Sequence, residues 1–144
     1  GAFINQVLQE FCEIHENCYL FDSLGSRKYL SMLAGCKVVI GNSSSGIYEA
    51  PAFRIPTINI GNRQNGRVKA KSIVDCKPNK EEIVKAIKMV QSNSFTKKLK
   101  NMKIPFEGGK TAEKILEKIV QVVENKINLQ KGFYDIYFKT DIEK

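Results

Sequence analysis

The group of residues best suited to bind an anion lies in residues 41–67, GNSSSGIYEAPAFRIPTINIGNRQNGR. This stretch holds three consecutive serines, Ser43, Ser44 and Ser45, and three of the chain's four arginines. Unpaired backbone amides at a helix start favour anions, and serine hydroxyls add donors without bulk. Guanidinium groups bind phosphate with two parallel hydrogen bonds. The stretch therefore predicts a phosphate site, against the alternative of an ordinary surface connection.

The serines fall between a predicted strand at residues 36–41 and a predicted helix at about residues 46–53. In an open parallel sheet, ligands bind at the carboxyl ends of the strands, which is where this placement puts the serines. Gly46 would let a phosphate approach the backbone closely. Glu49, one turn further on, could accept hydrogen bonds from a vicinal diol such as a ribose. The alternative is a plain helix start, since Ser, Asn and Gly are common there and an early glutamate complements the helix dipole.

A second loop, residues 61–67, follows the predicted strand at residues 56–61 and carries Arg63 and Arg67. It occupies the same position relative to its strand as the serines do to theirs. One strand end offers amides and hydroxyls, and the other offers guanidinium groups. Together they predict a clamp for a diphosphate, and this second loop favours the functional interpretation over the plain helix start.

The elements that must position these loops alternate between strand and helix along the chain. Further strands are predicted at residues 18–22 and 71–76, and the continuous apolar run at residues 36–41 is typical of a strand buried on both faces. Helices are predicted at about residues 2–15 and 27–35, after Pro78 and Asn79, and over a late stretch from Ile115 to Ile127. The alternation favours an α/β fold, a Rossmann-like parallel sheet flanked by helices.

The bulk composition excludes several classes of protein. The chain has 144 residues, of which 42% are hydrophobic and 26% charged, so we expect one soluble globular domain. It has no apolar run long enough to cross a membrane and no signal peptide. The four cysteines are best explained as free thiols in a reducing cytoplasm, so we expect a cytoplasmic protein. The sequence opens on Gly1 and passes directly into helical periodicity, which suggests a piece of something longer.

Neither the cysteines nor the positive charge indicates a further site. Cys12, Cys18, Cys36 and Cys76 form no zinc-like pairing with His15, so we predict free, mostly buried thiols, no metal and no cofactor. The net charge is +8, but the lysines are scattered along helical segments as on a solvated face. We therefore do not expect binding to nucleic acid, and a basic nucleic-acid-binding module stays an alternative.

The two loops together closely resemble a known family. The pattern Asn42-Ser43-Ser44-Ser45-Gly46-x-x-Glu49, followed by PTINIG at residues 56–61 and Arg63-Gln64-x-Gly66-Arg67, is similar to that of the UDP-N-acetylglucosamine 2-epimerases, nearest to the hydrolysing type used in making sialic and related nonulosonic acids. The resemblance covers about residues 2–125 and includes the later stretch PFEGGKTAEKIL. One departure is Glu107-Gly108-Gly109, where the family usually has an aspartate between the glycines.

The resemblance implies a two-domain, glycosyltransferase-B-like fold with the active site between the domains. Residues 1–127 would be the C-terminal, UDP-binding domain without its first strand, and residues 128–144 an aromatic, lysine-containing tail. By resemblance Ser43, Ser44, Ser45 and Gly46 would bind the diphosphate, Glu49 the ribose, and Arg63 and Arg67 the nucleotide or its phosphates. The backbone near Tyr29 would face uracil.

The reaction that the resemblance implies eliminates UDP across C1 and C2 of the sugar and then adds water, giving N-acetylmannosamine. The acid–base carboxylates would belong to an N-terminal domain absent from this chain, and His15 does not match the family's histidine, so no catalytic residue is assigned. We expect the chain alone to be inert, with UDP or UDP-N-acetylglucosamine, the missing domain and a second copy as partners. The alternative enzyme is a UDP-sugar-dependent glycosyltransferase.

Overall fold

The computed structural model describes residues 2–125, which form six α-helices and three strands. The helices are α1 (Ala2–Ile14), α2 (Gly25–Gly35), α3 (Ser45–Tyr48), α4 (Lys80–Val90), α5 (Asn93–Lys100) and α6 (Thr111–Glu124). The strands are β1 (Val39–Gly41), β2 (Thr57–Ile60) and β3 (Ile73–Cys76), and a 3-10 helix spans Ala50–Phe53. A first compact unit ends at Glu107 and a second begins at Gly108, whereas the predicted domain boundary at residue 127 stays a prediction.

The three strands form one parallel sheet in the order β1-β2-β3, which confirms the predicted α/β, Rossmann-like architecture. The central strand is β2, in which Thr57, Ile58 and Asn59 are buried. Burial on both faces was predicted for residues 36–41, and that prediction was wrong. Only Val39–Gly41 pairs there, and Ile40 is half exposed, because β1 has a single neighbour among the described strands.

Helix α4 covers one face of the sheet. Its start is fixed by Asn79, whose side chain accepts a hydrogen bond from the amide of Glu82 at 2.9 Å, as predicted for a helix opened by Pro78 and Asn79. Ala86 and Val90 pack with Ile58 into the core of the sheet. This contact fixes β2, and with it the loop that follows β2.

Two predicted elements differ in the structure. Residues 18–22 form no strand, and Tyr19 and Phe21 are exposed, because no strand of the described chain lies beside them to supply the ladder hydrogen bonds. The predicted helix at residues 46–53 is split into α3 and the 3-10 helix. Pro51 cannot donate a backbone hydrogen bond, and Arg54 ends the segment with a φ of 58°.

Helix α5 was not predicted, since it is polar and carries three lysines in its last turn. Ser92 caps it by accepting a hydrogen bond from the amide of Phe95, and Leu99 is its buried residue. The guanidinium of Arg54 donates to the carbonyls of Leu99 and Met102, at 2.9 and 3.3 Å. Arg54, which had no predicted role, thus closes the carboxyl end of α5.

In the second compact unit, α6 begins at Thr111 directly after Gly109 and Lys110, both with positive φ. Its predicted apolar positions, including Ile115, Leu116 and Val123, are exposed. Ile127 and the aromatic tail at residues 128–144 lie outside the described residues. Within residues 2–125, no helix is both long enough and apolar enough to traverse a lipid bilayer.

Candidate functional site

The two predicted loops lie side by side at one edge of the sheet. Residues 42–49, the serine loop, follow β1, and residues 61–67, the arginine loop, follow β2. Strands β1 and β2 are parallel and paired, with Gly41 opposite Asn59, so both loops leave the carboxyl edge of the sheet next to each other. The prediction that two neighbouring strand ends carry the serines and the arginines is confirmed for their position.

The serine loop is tightly folded on itself. The hydroxyl of Ser43 accepts a hydrogen bond from the backbone amide of Ser45 at 3.3 Å. The carbonyl of Ser44 accepts one from the backbone amide of Ile47 at 2.9 Å. The amides of Ser43 and Ser44 make none of the hydrogen bonds found in residues 2–125. Helix α3 is only one turn long, so a helix dipole contributes little here. The donors free for an anion are therefore these two amides and the exposed hydroxyls of Ser43 and Ser44.

Gly46 is buried, and its lack of a side chain is explained by packing. A Cβ at this position would lie 2.6 Å from the Cγ2 methyl of Thr57 on β2, a distance that real contacts do not reach. The hydroxyl of Thr57 also donates to the carbonyl of Gly46 at 3.0 Å. Glycine at 46 thus lets the serine loop rest directly on the central strand, whereas its predicted contact with phosphate stays a prediction.

Tyr29 approaches the serine loop from α2. Its hydroxyl is hydrogen-bonded to the hydroxyl of Ser45. Tyr29 also lines a cavity of about 660 Å³ with residues 19–26, among them Phe21 and Gly25. Cavities of this size hold small organic ligands in proteins. The structure therefore places Tyr29 between an open cavity and the predicted phosphate-binding serines.

Arg67 of the arginine loop is held against the serine loop. Its guanidinium carbon lies 5.4 Å from the centre of the Tyr48 ring, within the range of a cation–π contact. The Tyr48 ring in turn lies 4.8 Å from that of Phe106, at an angle of 57°. Glu49, the next residue, is exposed and forms no ion pair among the residues described. The predicted cation thus contacts the ring of Tyr48, and the predicted diol acceptor is the next residue in the chain.

Arg63 is exposed, and its side chain has no hydrogen bond or ion pair within the described part of the chain. The neighbouring residue, Gln64, is the opposite case. It is 1% exposed, and its Nε2 donates to the backbone carbonyl of Asn42 at 2.7 Å. This hydrogen bond joins the two loops directly.

The far end of the arginine loop is anchored to the sheet by Asp75 of β3. Both carboxylate oxygens of Asp75 accept hydrogen bonds from Nζ of Lys69, at 2.7 and 2.9 Å. One of them also accepts from the side-chain Nδ2 of buried Asn59 at 2.6 Å. Partial burial raises the pKa of Asp75, but the hydrogen bonds from Lys69 and Asn59 and the lysine charge outweigh it, so the pKa lies below its ordinary value. Asp75 is therefore a charged anchor at neutral pH.

The four cysteines are free, as predicted, but only Cys76 is buried, while Cys12, Cys18 and Cys36 are half-buried. Burial raises the pKa of the Cys76 thiol, and the nearby carboxylates of Glu82 and Asp75 raise it further. Cys76 therefore stays a neutral thiol beside the anchor of the arginine loop.

Sequence reasoning missed the residues that connect the loops. Gln64, Tyr48 and Asp75 belong to no periodic pattern, and each acts through a residue distant in the chain. For Gln64 the available signal was its place in the pattern Arg63-Gln64-x-Gly66-Arg67, in which the two arginines drew attention instead. His15, which the resemblance left without a catalytic role, lies just after α1 and is exposed, with its ring 4.2 Å from that of Phe11.

Comparison with known proteins confirms the resemblance. The family model described as UDP-N-acetylglucosamine 2-epimerase matches residues 2–120. A Campylobacter jejuni protein named GDP/UDP-N,N'-diacetylbacillosamine 2-epimerase (hydrolyzing) is 42% identical over 137 residues, which are 94% of this chain and 35% of the relative. The Escherichia coli polysialic acid biosynthesis protein P7 is 34% identical over 92% of this chain and 34% of its own length.

A Neisseria meningitidis UDP-N-acetylglucosamine 2-epimerase is 32% identical over 90% of this chain and 34% of its own length. The chain thus spans about a third of the length of these curated relatives. Since the family model covers nearly all of the described residues, this chain belongs to the UDP-N-acetylglucosamine 2-epimerase family.

Proposed function

We propose that this chain is the UDP-binding half of a hydrolysing UDP-N-acetylglucosamine 2-epimerase that releases UDP and N-acetylmannosamine. The observation that carries the proposal is the joining of the serine loop and the arginine loop by Gln64, whose Nε2 lies 2.7 Å from the carbonyl of Asn42. This contact joins the loop that has unpaired amides and hydroxyls to the loop that carries Arg63 and Arg67. Such a mixture of neutral donors and bidentate cations suits a diphosphate.

Each predicted site residue has a part in this proposal. Ser43 and Ser44 donate to the phosphate oxygens, and Ser45 donates its hydroxyl proton there while accepting from the hydroxyl of Tyr29. Gly46 contributes by letting this loop pack on Thr57. Arg63 and Arg67 neutralise the charge of the diphosphate. The remaining two contacts are to the nucleoside. The carboxylate of Glu49 accepts hydrogen bonds from the ribose hydroxyls, and the segment around Tyr29 binds uracil in the adjacent cavity of about 660 Å³.

The chemistry assigned to these loops is stabilisation of the leaving group. Elimination from the sugar breaks the bond between C1 and the diphosphate oxygen, and negative charge then develops on UDP. Preorganised donors and cations at that oxygen lower the barrier. The proton at C2 must be removed by a base. Of the carboxylates near the loops, Glu49 is assigned to ribose and Asp75 is held in its ion pair with Lys69. The acid–base groups are therefore assigned to the part of the protein outside this chain, and this chain alone is expected to be inert.

An assay of the full-length protein tests the proposal. Incubation with UDP-N-acetylglucosamine and no acceptor should release UDP and N-acetylmannosamine in equal amounts. Chromatography of the nucleotide and of the free sugar measures both products. A requirement for an acceptor sugar would instead support the glycosyltransferase alternative. Salt-sensitive binding to DNA or RNA, without any response to UDP, would support the nucleic-acid-binding alternative.

A second sugar substrate is favoured by one comparison. The Campylobacter jejuni relative, 42% identical, is named for N,N'-diacetylbacillosamine. The loops described here contact the nucleotide rather than the sugar in this proposal, so they suit either substrate. The same assay should therefore be run with UDP-N,N'-diacetylbacillosamine, and the ratio of the two kcat/KM values identifies the sugar.

A further inference from the structure

We propose that Gln64 is a positioning residue that holds the serine loop and the arginine loop at the separation a diphosphate requires. The inference rests on the proposed function and adds to it a residue that contacts no ligand. Its basis is a fully buried amide that bridges two loops 22 positions apart in the chain.

Among residues 2–125, the side chain of Gln64 has a single hydrogen-bond partner. Its Nε2 donates to the backbone carbonyl of Asn42 at 2.7 Å, immediately before the three serines. On its own loop, Gln64 follows Arg63 directly and precedes Arg67 by three positions. A shift of this side chain therefore moves the cations of one loop relative to the donors of the other.

Burying the polar side chain of Gln64 costs free energy that packing alone does not explain. Its Oε1 is buried and has no hydrogen-bond partner among the described residues. An unpaired buried acceptor costs free energy that a methionine or leucine of similar volume would avoid. The polar side chain is therefore explained by its donor group, which acts on Asn42, rather than by the volume it occupies.

The rest of the arginine loop is arranged so that this one contact matters. Its far end is fixed to β3 through the ion pair of Lys69 with Asp75. Its middle is fixed to the serine loop through Gln64, which lies within a turn that the amide of Asn65 closes by donating to the carbonyl of Asn62 at 3.0 Å. Without Gln64, the segment that carries Arg63 would keep its anchors to β3, among them the hydrogen bond from the amide of Gly61 to the carbonyl of Cys76 at 2.9 Å, but would lose its hydrogen bond to the serine loop.

The test uses the full-length protein with Gln64→Met, which keeps the volume and loses the donor, and Gln64→Glu, which keeps the shape and loses the donor when ionised. The control is Ile58→Val, a change in the sheet core at a residue that is 0% exposed. Calorimetric titration with pyrophosphate and with UDP is done at a temperature where every variant is folded. Hydrogen exchange of the amides of residues 42–46 is measured without ligand.

We expect Gln64→Met and Gln64→Glu to raise the Kd of both ligands about tenfold. This factor corresponds to the free energy of one hydrogen bond, here the one that holds the two loops in place before the ligand binds. Exchange at residues 42–46 should become faster in both variants, whereas Ile58→Val should lower the melting temperature without either effect. A Kd within twofold of the unmodified protein, in a folded Gln64→Met variant, would overturn the proposal. Failure of the unmodified protein to bind pyrophosphate or UDP would refute the proposed function instead, and unchanged exchange at residues 42–46 would then refute the role of Gln64 separately.

Discussion

Replacing Gly46 with alanine should destabilise the protein through one identifiable contact. The added Cβ would lie 2.6 Å from Cγ2 of Thr57, 3.5 Å from its hydroxyl oxygen and 3.6 Å from its Cβ. Only the first of these distances is too short. It involves the Cγ2 methyl of Thr57, and rotating this side chain away would break the hydrogen bond from its hydroxyl to the carbonyl of Gly46. Overpacking of this kind costs about 1–3 kcal/mol. For a domain of roughly 100 residues, each kcal/mol lowers the melting temperature by about 4–8 °C.

The second substitution in this test removes that methyl group alone. Thr57→Ser keeps the hydroxyl that donates to the carbonyl of Gly46, so the double variant Gly46→Ala/Thr57→Ser should recover most of the stability lost by Gly46→Ala. Gly35→Ala is the matched control, because a Cβ there meets nothing within 4 Å. Thermal unfolding followed by circular dichroism measures all four proteins. A Gly46→Ala variant as stable as the unmodified protein, or a double variant no better than Gly46→Ala, would refute the packing explanation.

Three further predictions follow from the contacts around the loops. Tyr48→Ala should raise the Kd for UDP about two- to fivefold, because it releases Arg67. Tyr48→Phe keeps the ring and should bind UDP as the unmodified protein does. An equal loss of UDP affinity in both variants would contradict the cation–π contact. Asp75 has a lowered pKa, so its stabilising contribution is present at neutral pH and is lost as the pH falls through the folded pKa, which lies below the ordinary aspartate value. Asp75→Asn should therefore be less stable at pH 7 and lose less stability on acidification, and parallel pH–stability curves would contradict this. Arg54→Met should lower the melting temperature without changing the Kd for UDP, since Arg54 closes α5, and a changed Kd would place Arg54 in the site.

The sequence was informative wherever a feature depends on neighbours in the chain. Asn79 as a helix cap, Gly35 at the end of α2, and the order of strands and loops around the serines are local properties, and the structure confirms them. The position of the two loops followed from one general rule, that parallel strands end at the same edge of the sheet.

The features that the sequence did not predict depend on contacts between distant residues. Whether residues 36–41 are buried on both faces depends on how many strands lie beside them. Whether residues 18–22 form a strand likewise depends on a neighbouring strand, and the described chain supplies none. The need for glycine at position 46 depends on Thr57, eleven positions away. The burial of Gln64 depends on the carbonyl of Asn42, which no pattern of residue types reveals.

The measurement that tests the central claim most directly is a UDP footprint on the full-length protein, read by amide hydrogen exchange at increasing UDP, with Glu49→Ala as the companion variant. We predict protection in residues 42–49 and 61–67 together, with the same midpoint. We also predict that Glu49→Ala weakens UDP about ten- to hundredfold and pyrophosphate much less, because its carboxylate binds the ribose. Saturation with UDP that leaves both loops unprotected, or an equal loss of both ligands in Glu49→Ala, would contradict the account.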